Sequence, residues 1–186
     1  LGAYVLAGQL KRWSDVQIRC LVRAQSTKHG LERIQENLCR YDLWDPSWEA
    51  RIEPILGDLA QPSFGLEAKS FERLSQGLGG ILHNGAQLSQ MASYAQLASA
   101  NVGGTREVLR LATLSNPVRV ELVSSVSVFE AAAYRNQEIQ EDDDLKSWEG
   151  IHIGYSQTKW VSERLVLAAG DAGLPIAIYR PPLIGG

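Results

Sequence analysis

Short apolar segments alternate with longer amphipathic ones along almost the whole chain, and this alternation limits the possible folds more than any other feature. The apolar segments predict strands at 17–23, 51–58, 80–86, 118–123 and 174–180. Their runs are nearly continuous, which is typical of strands buried on both faces, and strands that alternate with helices are typical of parallel sheets. The sequence therefore predicts an α/β fold built on a parallel sheet with helices on both faces.

The segments between these strands carry apolar residues at spacings of three and four, which predicts helices. The predicted helices cover residues 2–13, 27–41, 68–78 and 93–115, and a last one contains Tyr155. A polar, acidic stretch from about 134 to 150 precedes this last helix and is predicted to be a loop.

Length and composition predict one domain of an ordinary globular protein. The chain has 186 residues and a net charge of −3, which gives no reason to expect a nucleic-acid partner. It has no apolar run long enough to cross a bilayer, so no membrane partner is expected. Cys20 and Cys39 have no metal-binding spacing, so no metal site is predicted and the reducing cytoplasm is the expected location.

Polar and charged residues stand where the predicted strands end. These residues are Arg23, Asp58, the segment 83–86, Ser125 and Arg180. Ligands of parallel sheets bind beyond the carboxyl ends of the strands. We therefore expect a binding site at this edge of the sheet.

Tyr155 and Lys159 are four residues apart in the last predicted helix and so lie one turn apart on one face. A free tyrosine has a pKa of about 10 and exchanges protons poorly at neutral pH. A nearby cation lowers a tyrosine pKa, so we expect Lys159 to lower the pKa of Tyr155 and also to donate to sugar hydroxyls. The spacing alone is weak evidence, because both residue types are common on amphipathic helices.

Three further polar residues accompany this pair. Ser125 ends a strand, and its hydroxyl can steady a carbonyl oxygen, although Ser124 and Ser127 compete for that role and one of the three can instead cap a turn. Asn101 lies inside a predicted helix, where asparagine is unfavourable, so a buried polar role is expected. His83 is expected to be a buried, hydrogen-bonded histidine that takes no part in catalysis.

A dinucleotide site is predicted from the strand ends in the first half of the chain. Arg23 stands where such folds contact the adenosine ribose, and an arginine there suits a 2′-phosphate, which favours NADP over NAD. The alternative is a solvated surface cation. Arg33 is a weaker second contact, and Asp58 can accept a hydrogen bond from the adenine amine or simply belong to a turn. The small residues that follow His83 allow close approach of a ligand to the backbone.

Several segments together resemble a known superfamily. They are Asn101-Val-Gly-Gly-Thr105, Ser124-Ser125-Val-Ser127-Val128, Tyr155-x-x-x-Lys159 and Arg180-Pro-Pro-Leu-Ile-Gly185. As a set they resemble the extended short-chain dehydrogenase/reductase superfamily. Four more segments resemble the thioester reductase domains that terminate nonribosomal peptide and polyketide synthetases: Cys20-Leu-Val-Arg-Ala24, Tyr41-Asp-Leu-Trp44, Gly57-Asp58-Leu59 and His83-Asn84-Gly85-Ala86. These domains are similar to the reductase domains of carboxylic acid reductases and aminoadipate reductase. The resemblance covers essentially the whole chain.

The resemblance implies a Rossmann-like, doubly wound parallel sheet and a catalytic set of Ser125, Tyr155 and Lys159, with Asn101 in support. It implies NADPH as the cofactor, with the following residues at its site: Gly2, Arg23, Arg33, Asp58, Leu59, Asn84, Gly85, Ala86 and Lys159. The implied reaction is the reductive release of an acyl or peptidyl thioester from a phosphopantetheinylated carrier protein as an aldehyde, which a second reduction can take to an alcohol.

The sequence departs from the family pattern at both ends. The glycine-rich Gly-x-x-Gly-x-x-Gly fingerprint is represented only by its last glycine, Gly2, and the sequence stops at Gly186, where the family's C-terminal substrate region would begin. We therefore expect residues 1–186 to form a partial reductase domain that lacks its first strand. Since that strand is central and its loop would cradle the pyrophosphate, we expect the peptide alone to fold poorly and to bind NADPH weakly.

Two other functions fit parts of the sequence. Another extended member of the superfamily would act on a sugar nucleotide or a small carbonyl compound, although Arg23 disfavours the NAD-using epimerases. A dinucleotide-sensing regulator on the same fold would need neither Tyr155 nor Lys159, so the presence of both disfavours it.

Overall fold

The computed structural model describes residues 1–184 and divides into two compact units, Leu1–Asp58 and Leu59–Gly186. Gly185, which ends the predicted motif that begins at Arg180, lies outside the described residues. Each unit contains its own parallel sheet.

The first unit is a small α/β layer. Helix α1 (Gly2–Arg12) precedes strand β1 (Ile18–Val22), and helix α2 (Thr27–Cys39) leads to strand β2 (Ile52–Leu56). The two strands pair in parallel with Ile18 opposite Ile52. A parallel pair needs a crossover connection, and α2 supplies it.

One apolar cluster holds the first unit together. Its buried members come from both helices, from the short 3₁₀ turn Pro46–Arg51 and from β2, namely Ala3, Ala7, Leu10, Leu38, Trp48 and Ile52. Helix α2 begins after Ser26, whose hydroxyl accepts a hydrogen bond from the backbone N–H of His29 at 3.2 Å. Such a cap satisfies one of the free donors at a helix start.

The second unit contains three parallel strands in the order β3-β4-β5. The strands are β3 (Gly80–His83), β4 (Arg119–Val123) and β5 (Ile176–Tyr179), and the helices are α3 (Ala68–Ser75), α4 (Tyr94–Ala98), α5 (Gly104–Leu114) and α6 (Gly154–Asp171). Short 3₁₀ turns cover Pro62–Gly65, Val126–Phe129 and Ala132–Tyr134. The central strand β4 pairs through Val123 with Tyr179 of β5.

The core of the second unit is apolar and lies between the sheet and the helices. Its buried members are Phe64, Phe71, Val108, Leu111, Ala112, Val120 and Leu174. Val108, Leu111 and Ala112 share one face of α5, which is the helical spacing expected of a helix that packs on a sheet.

The predicted parallel α/β fold is confirmed, and the predicted strands all occur. One predicted helix, 93–115, is different: it is divided into α4, a π-helical turn at Ser99–Gly103 and α5. Within this turn the N–H of Gly104 bonds to the carbonyl of Ser99, five residues earlier, as well as to closer carbonyls. Asn101, which sequence reasoning placed in a regular helix, therefore lies in a π turn, a feature often found at functional sites.

Two features that would indicate further partners are absent from the described residues. None of the helices among residues 1–184 is both long and apolar enough to span a membrane. Over the same residues, no three His, Cys, Asp or Glu side chains are grouped in a way that could hold a metal ion.

Candidate active site

Helix α6 buries an unusually polar face. Its buried residues are Gly154, Ser156, Thr158, Lys159, Ser162, Glu163 and Val166. Lysine and glutamate are almost never fully buried unless they are paired. A helix that buries both is therefore expected to provide each with a partner.

Lys159 lies at the carboxyl end of the central strand. Its Nζ donates a hydrogen bond to the backbone oxygen of Val123 at 2.7 Å and lies 5.9 Å from the centre of the Tyr155 ring. The structure thus brings Tyr155 and Lys159 together on one face of α6, as predicted. Burial lowers the pKa of Lys159 to about 8, against the opposing effect of the Glu163 carboxylate.

The prediction that Lys159 lowers the pKa of Tyr155 is wrong for this structure. Burial of the half-buried phenol raises the pKa of Tyr155 instead. The physical reason is that removal from water disfavours the phenolate, while the ammonium is drawn towards the carbonyl of Val123. Tyr155 is therefore a protonated phenol at neutral pH, which is the form a proton donor requires.

Ser125 begins the 3₁₀ turn Val126–Phe129, which packs against α6. Its Oγ accepts a hydrogen bond from the N–H of Ser127 at 3.2 Å, so of the three candidate serines Ser125 is the one that caps a turn. This bond uses only the oxygen and leaves the O–H of Ser125 free to donate. The hydroxyls of Ser124 and Ser127 are buried without a hydrogen-bond partner among the described residues.

Asn101 is buried and connects the loop after β3 to α6. Its Oδ1 accepts from the N–H of Gln87 at 2.7 Å, and its Nδ2 donates to the Gln87 carbonyl at 3.1 Å and to Thr158 Oγ1 at 2.9 Å. The Thr158 hydroxyl in turn donates to the carbonyl of Tyr155 at 2.7 Å. Asn101 therefore acts on Tyr155 through Thr158 and holds the helix turn that carries the phenol.

His83 is buried, and its Nε2 lies 3.0 Å from Thr105 Oγ1. Burial, with the nearby Lys159 charge in addition, lowers the pKa of His83 to about 3. The ring is neutral throughout the physiological range, as expected of a buried histidine with a hydrogen-bond partner.

Gly154 fixes the start of α6 and hence the position of Tyr155. A Cβ added at Gly154 would lie 2.4 Å from the carbonyl oxygen of Ala92 and 2.6 Å from the backbone carbon of Ser93. Only glycine permits this approach of two backbones.

Sequence reasoning did not identify the pairing of Glu163 with Arg180. Glu163 is fully buried, and its Oε1 accepts from Arg180 Nε at 2.8 Å and from Nη2 at 2.5 Å. A signal was present in the sequence, because Tyr155, Lys159 and Glu163 repeat at intervals of four.

Four predicted cofactor residues belong to the first unit. Gly2 is the first residue of α1, and Arg23 follows β1 with an exposed side chain. Arg33 on α2 donates from Nη1 to the carbonyl oxygen of Arg23, so the structure brings these two arginines together. Asp58, the last residue of this unit, is half-buried.

The other predicted cofactor residues belong to the second unit. Asn84, Gly85 and Ala86 follow β3, and a Cβ added at Gly85 would lie 2.5 Å from Leu59 Cδ1. The loop after β3 therefore packs closely against the Leu59 side chain. The approach of a ligand to these residues stays a prediction. A cavity of about 240 Å³ lies beside Leu59 and is lined also by Ala60, Gln61, Pro62, Ser99, Gly103, Arg106 and Glu107.

Comparison with known proteins gives a consistent result. A family described as Male sterility protein matches residues 1–186. The chain is 40% identical over 186 residues to one of the subunits of the linear gramicidin synthase of Brevibacillus parabrevis, covering 97% of this chain and 4% of that protein. It is 36% identical over 197 residues to L-2-aminoadipate reductase of Schizosaccharomyces pombe, covering 100% of this chain and 14% of that protein.

A solved structure is also similar. The terminal R domain from the myxalamid PKS-NRPS biosynthetic pathway superposes with a TM-score of 0.95 at 42% identity, covering 100% of this chain and 46% of that chain. The chain thus spans less than half of that domain and a small part of the two curated relatives.

Proposed function

The chain belongs to the Male sterility protein family, within the extended short-chain dehydrogenase/reductase superfamily, and we propose on this premise that it is part of an NADPH-dependent thioester reductase. Its substrate would be an acyl or peptidyl thioester on the phosphopantetheine arm of a carrier protein. The similarity to an R domain of a PKS-NRPS pathway and to a linear gramicidin synthase supports this substrate class.

The observation that carries the proposal is the buried Lys159 ammonium, held at the end of β4 and 5.9 Å from the Tyr155 ring. Tyr155, whose pKa is raised, would donate its proton to the carbonyl oxygen of the thioester. Lys159 would then stabilise the phenolate that remains, because a cation nearby favours the ionised form. Any stabilisation of the phenolate by Lys159 would oppose the effect of burial on the pKa of Tyr155 and so lower the free-energy cost of proton transfer.

Ser125 would stabilise the developing oxyanion. Its hydroxyl proton is free to donate because the bond with Ser127 uses only the oxygen as acceptor. Asn101 would support the site indirectly, since it holds Thr158 and the turn of α6 that carries Tyr155. Addition of a hydride to the carbonyl carbon and of the Tyr155 proton to its oxygen would give a hemithioacetal. Its collapse would break the C–S bond, release the thiol and leave an aldehyde, which a second reduction can take to an alcohol.

NADPH, when bound, would supply the hydride, and Arg23 of the first unit would hold its 2′-phosphate. The exposed guanidinium of Arg23 directly after β1 suits a 2′-phosphate, with Arg33 beside it. Asn84, Gly85 and Ala86, directly after β3, and Asp58 and Leu59 are further residues proposed for the NADPH site. Gly2 and Lys159 complete the proposed set.

The free Cys20 and Cys39 support the reducing cytoplasm as the proposed location.

The test uses the full-length enzyme that contains this chain, NADPH, and an acyl-thioester substrate loaded on its carrier protein. We expect NADPH oxidation with release of an aldehyde or alcohol, and little with a sugar nucleotide. Tyr155→Phe should lower turnover by about 10²- to 10⁴-fold and leave NADPH binding unchanged. Tyr41→Phe, which removes an exposed hydroxyl from the first unit, is the matched control. If the enzyme turned over the sugar nucleotide but not the thioester, the proposal would be overturned in favour of a member of the superfamily that acts on sugar nucleotides.

A further inference from the structure

Glu163 lies one helical turn beyond Lys159 and takes no part in the mechanism described so far. It is among the largest fully buried side chains of the structure. Residues at spacings of four lie on the same helix face, so Tyr155, Lys159 and Glu163 form a row along α6.

Arg180 holds the Glu163 carboxylate through only one of its two oxygens. Both contacts, from Nε and from Nη2, go to Oε1, and Arg180 is itself fixed by a bond from Nη1 to the Glu141 carbonyl at 3.1 Å. Glu163 Oε2 is buried and has no hydrogen-bond partner among the described residues. A buried carboxylate oxygen without a hydrogen-bond partner destabilises the folded state. Its presence therefore requires an explanation, and a functional role is one.

Within residues 1–184, three titratable groups lie around Lys159 and Glu163. They are Tyr155 on the same helix, His83 at the end of β3 and Arg180 after β5. The carboxylates of the neighbouring elements are engaged elsewhere: Glu107 of α5 bonds Arg110, and Glu121 of β4 bonds Arg119.

Burial and Glu163 act on Lys159 in opposite directions. Burial disfavours the ammonium, whereas the Glu163 carboxylate favours it and raises the pKa of Lys159. His83 is neutral, because its pKa is lowered to about 3, and so adds no charge of its own. The hydrogen bond to the Val123 carbonyl also favours the ammonium, but of the titratable groups named above only Glu163 carries a negative charge that offsets the cost of burying Lys159.

We propose that Glu163 is a positioning residue for the reduction: its carboxylate, anchored by Arg180, keeps the buried Lys159 in the ammonium form beside Tyr155. The inference rests on the proposed function, in which Lys159 stabilises the phenolate. Lys159, Glu163 and Arg180 then form a row of alternating charges next to the proton donor, with Lys159 and Glu163 buried and Arg180 partly exposed.

The first measurement is the pH profile of kcat/KM for the full-length enzyme with a carrier-bound thioester. Glu163→Gln keeps the shape and removes the charge, so Lys159 should lose its proton at lower pH. The alkaline limb of the profile should move down by about one pH unit. The value of kcat/KM should be about tenfold lower at pH values above the shifted limb and near normal at pH values below it. Glu163→Asp keeps the charge and should restore most of the alkaline activity.

Two further variants separate this effect from misfolding. Glu163→Gln leaves Arg180 without its carboxylate partner, so the double variant with Arg180→Gln removes both charges of the pair. Its alkaline limb should move in the same direction as that of Glu163→Gln but by less, because loss of the Arg180 cation favours the Lys159 ammonium. Glu121→Gln removes a partly exposed, paired carboxylate from β4 and should leave the limb in place. An unmoved limb in the double variant, or a loss that is equal at every pH, would overturn the role of Glu163.

A second measurement does not depend on turnover. The ¹³Cε resonance of Lys159, assigned by its absence in Lys159→Met, can be titrated in the wild type and in the double variant. We expect its midpoint to fall in the variant, and an unchanged midpoint would overturn the inference. If the wild type fails to reduce thioesters, the proposed function fails, whereas this titration still decides whether Glu163 controls Lys159.

Discussion

Lys159 donates from Nζ to the backbone oxygen of Val123 at 2.7 Å, so the ammonium on α6 is fixed to the last residue of the central strand β4. This contact places a buried charge one residue before Ser124 and two before Ser125. The geometry of the proposed site therefore depends on a buried ammonium, and burial of this group also makes the stability of the protein depend on pH.

The stability of the protein should rise with pH because of Lys159. Its pKa is lowered from the ordinary value of 10.5 to about 8 in the folded chain, chiefly by burial. Between these values the unfolded state binds more protons than the folded state, so stability increases with pH. Relative to Lys159→Met, the wild type should gain about 2 kcal/mol between pH 7 and pH 9.5 in urea unfolding experiments.

The control for this measurement is Lys146→Met, because Lys146 is exposed and pairs with Asp144 at 3.6 Å. It should show no comparable change with pH. A difference between wild type and Lys159→Met that stays flat over this range would contradict a buried ammonium.

Removal of Asn101 should destabilise the second unit. Asn101→Ala would leave the Gln87 backbone and the Thr158 hydroxyl without their buried partner, at a cost of about 2 kcal/mol. Turnover should fall as well, because Thr158 bonds to the carbonyl of Tyr155. Asn116→Ala, at an exposed position, should change the unfolding free energy by less than about 0.5 kcal/mol. Equal effects of the two changes in chemical denaturation would argue against the bonding role of Asn101.

Gly154→Ala should displace the start of α6. The added methyl would meet the backbone of Ala92 and Ser93 at 2.4 Å and 2.6 Å, so the helix must move and carry Tyr155 with it. We expect a loss of about 1–3 kcal/mol in stability and a turnover more than about tenfold lower. Gly8→Ala in α1, where a Cβ has no neighbour within 4 Å, should instead stabilise by about 0.5–1 kcal/mol. Thermal unfolding and steady-state kinetics of both variants measure these effects.

Arg23→Ala should weaken NADPH binding selectively. If the exposed guanidinium pairs with the 2′-phosphate, its loss should raise the Kd for NADPH by about 10- to 100-fold and leave that for NADH nearly unchanged. Arg40→Ala, which removes another exposed arginine of the first unit, should affect neither. Fluorescence titration of the full-length enzyme with both cofactors measures the effect, and an equal loss for NADPH and NADH would exclude recognition of the 2′-phosphate.

The fold was predictable because its determinants are local. The run Val118–Val123 predicts a buried strand, and β4 occupies residues Arg119–Val123. The spacing of Tyr155 and Lys159 likewise predicts a shared helix face, since 3.6 residues per turn fixes their relation. Both inferences need only neighbouring residues.

Features that depend on distant contacts were not predictable. The pKa of Tyr155 is set by burial, which the four-residue spacing does not reveal. The pairing of Glu163 with Arg180 joins residues 17 positions apart. The π turn around Asn101 is stabilised by contacts with Thr158 and Ser162, 57 and 61 residues away.

The π turn also fixes how many residues the segment between α4 and α5 can contain. Its extra residue holds the Asn101 carbonyl where Thr105 and Ser162 both donate to it, at 2.7 Å and 3.0 Å. Deleting one residue to restore a regular helix would rotate everything on one side of the cut by about 100° relative to the other. Loop shortening is a common route to thermostable enzymes, but a deletion between Ser99 and Gly103 would disrupt this site. Protein engineers should therefore keep this segment at its natural length.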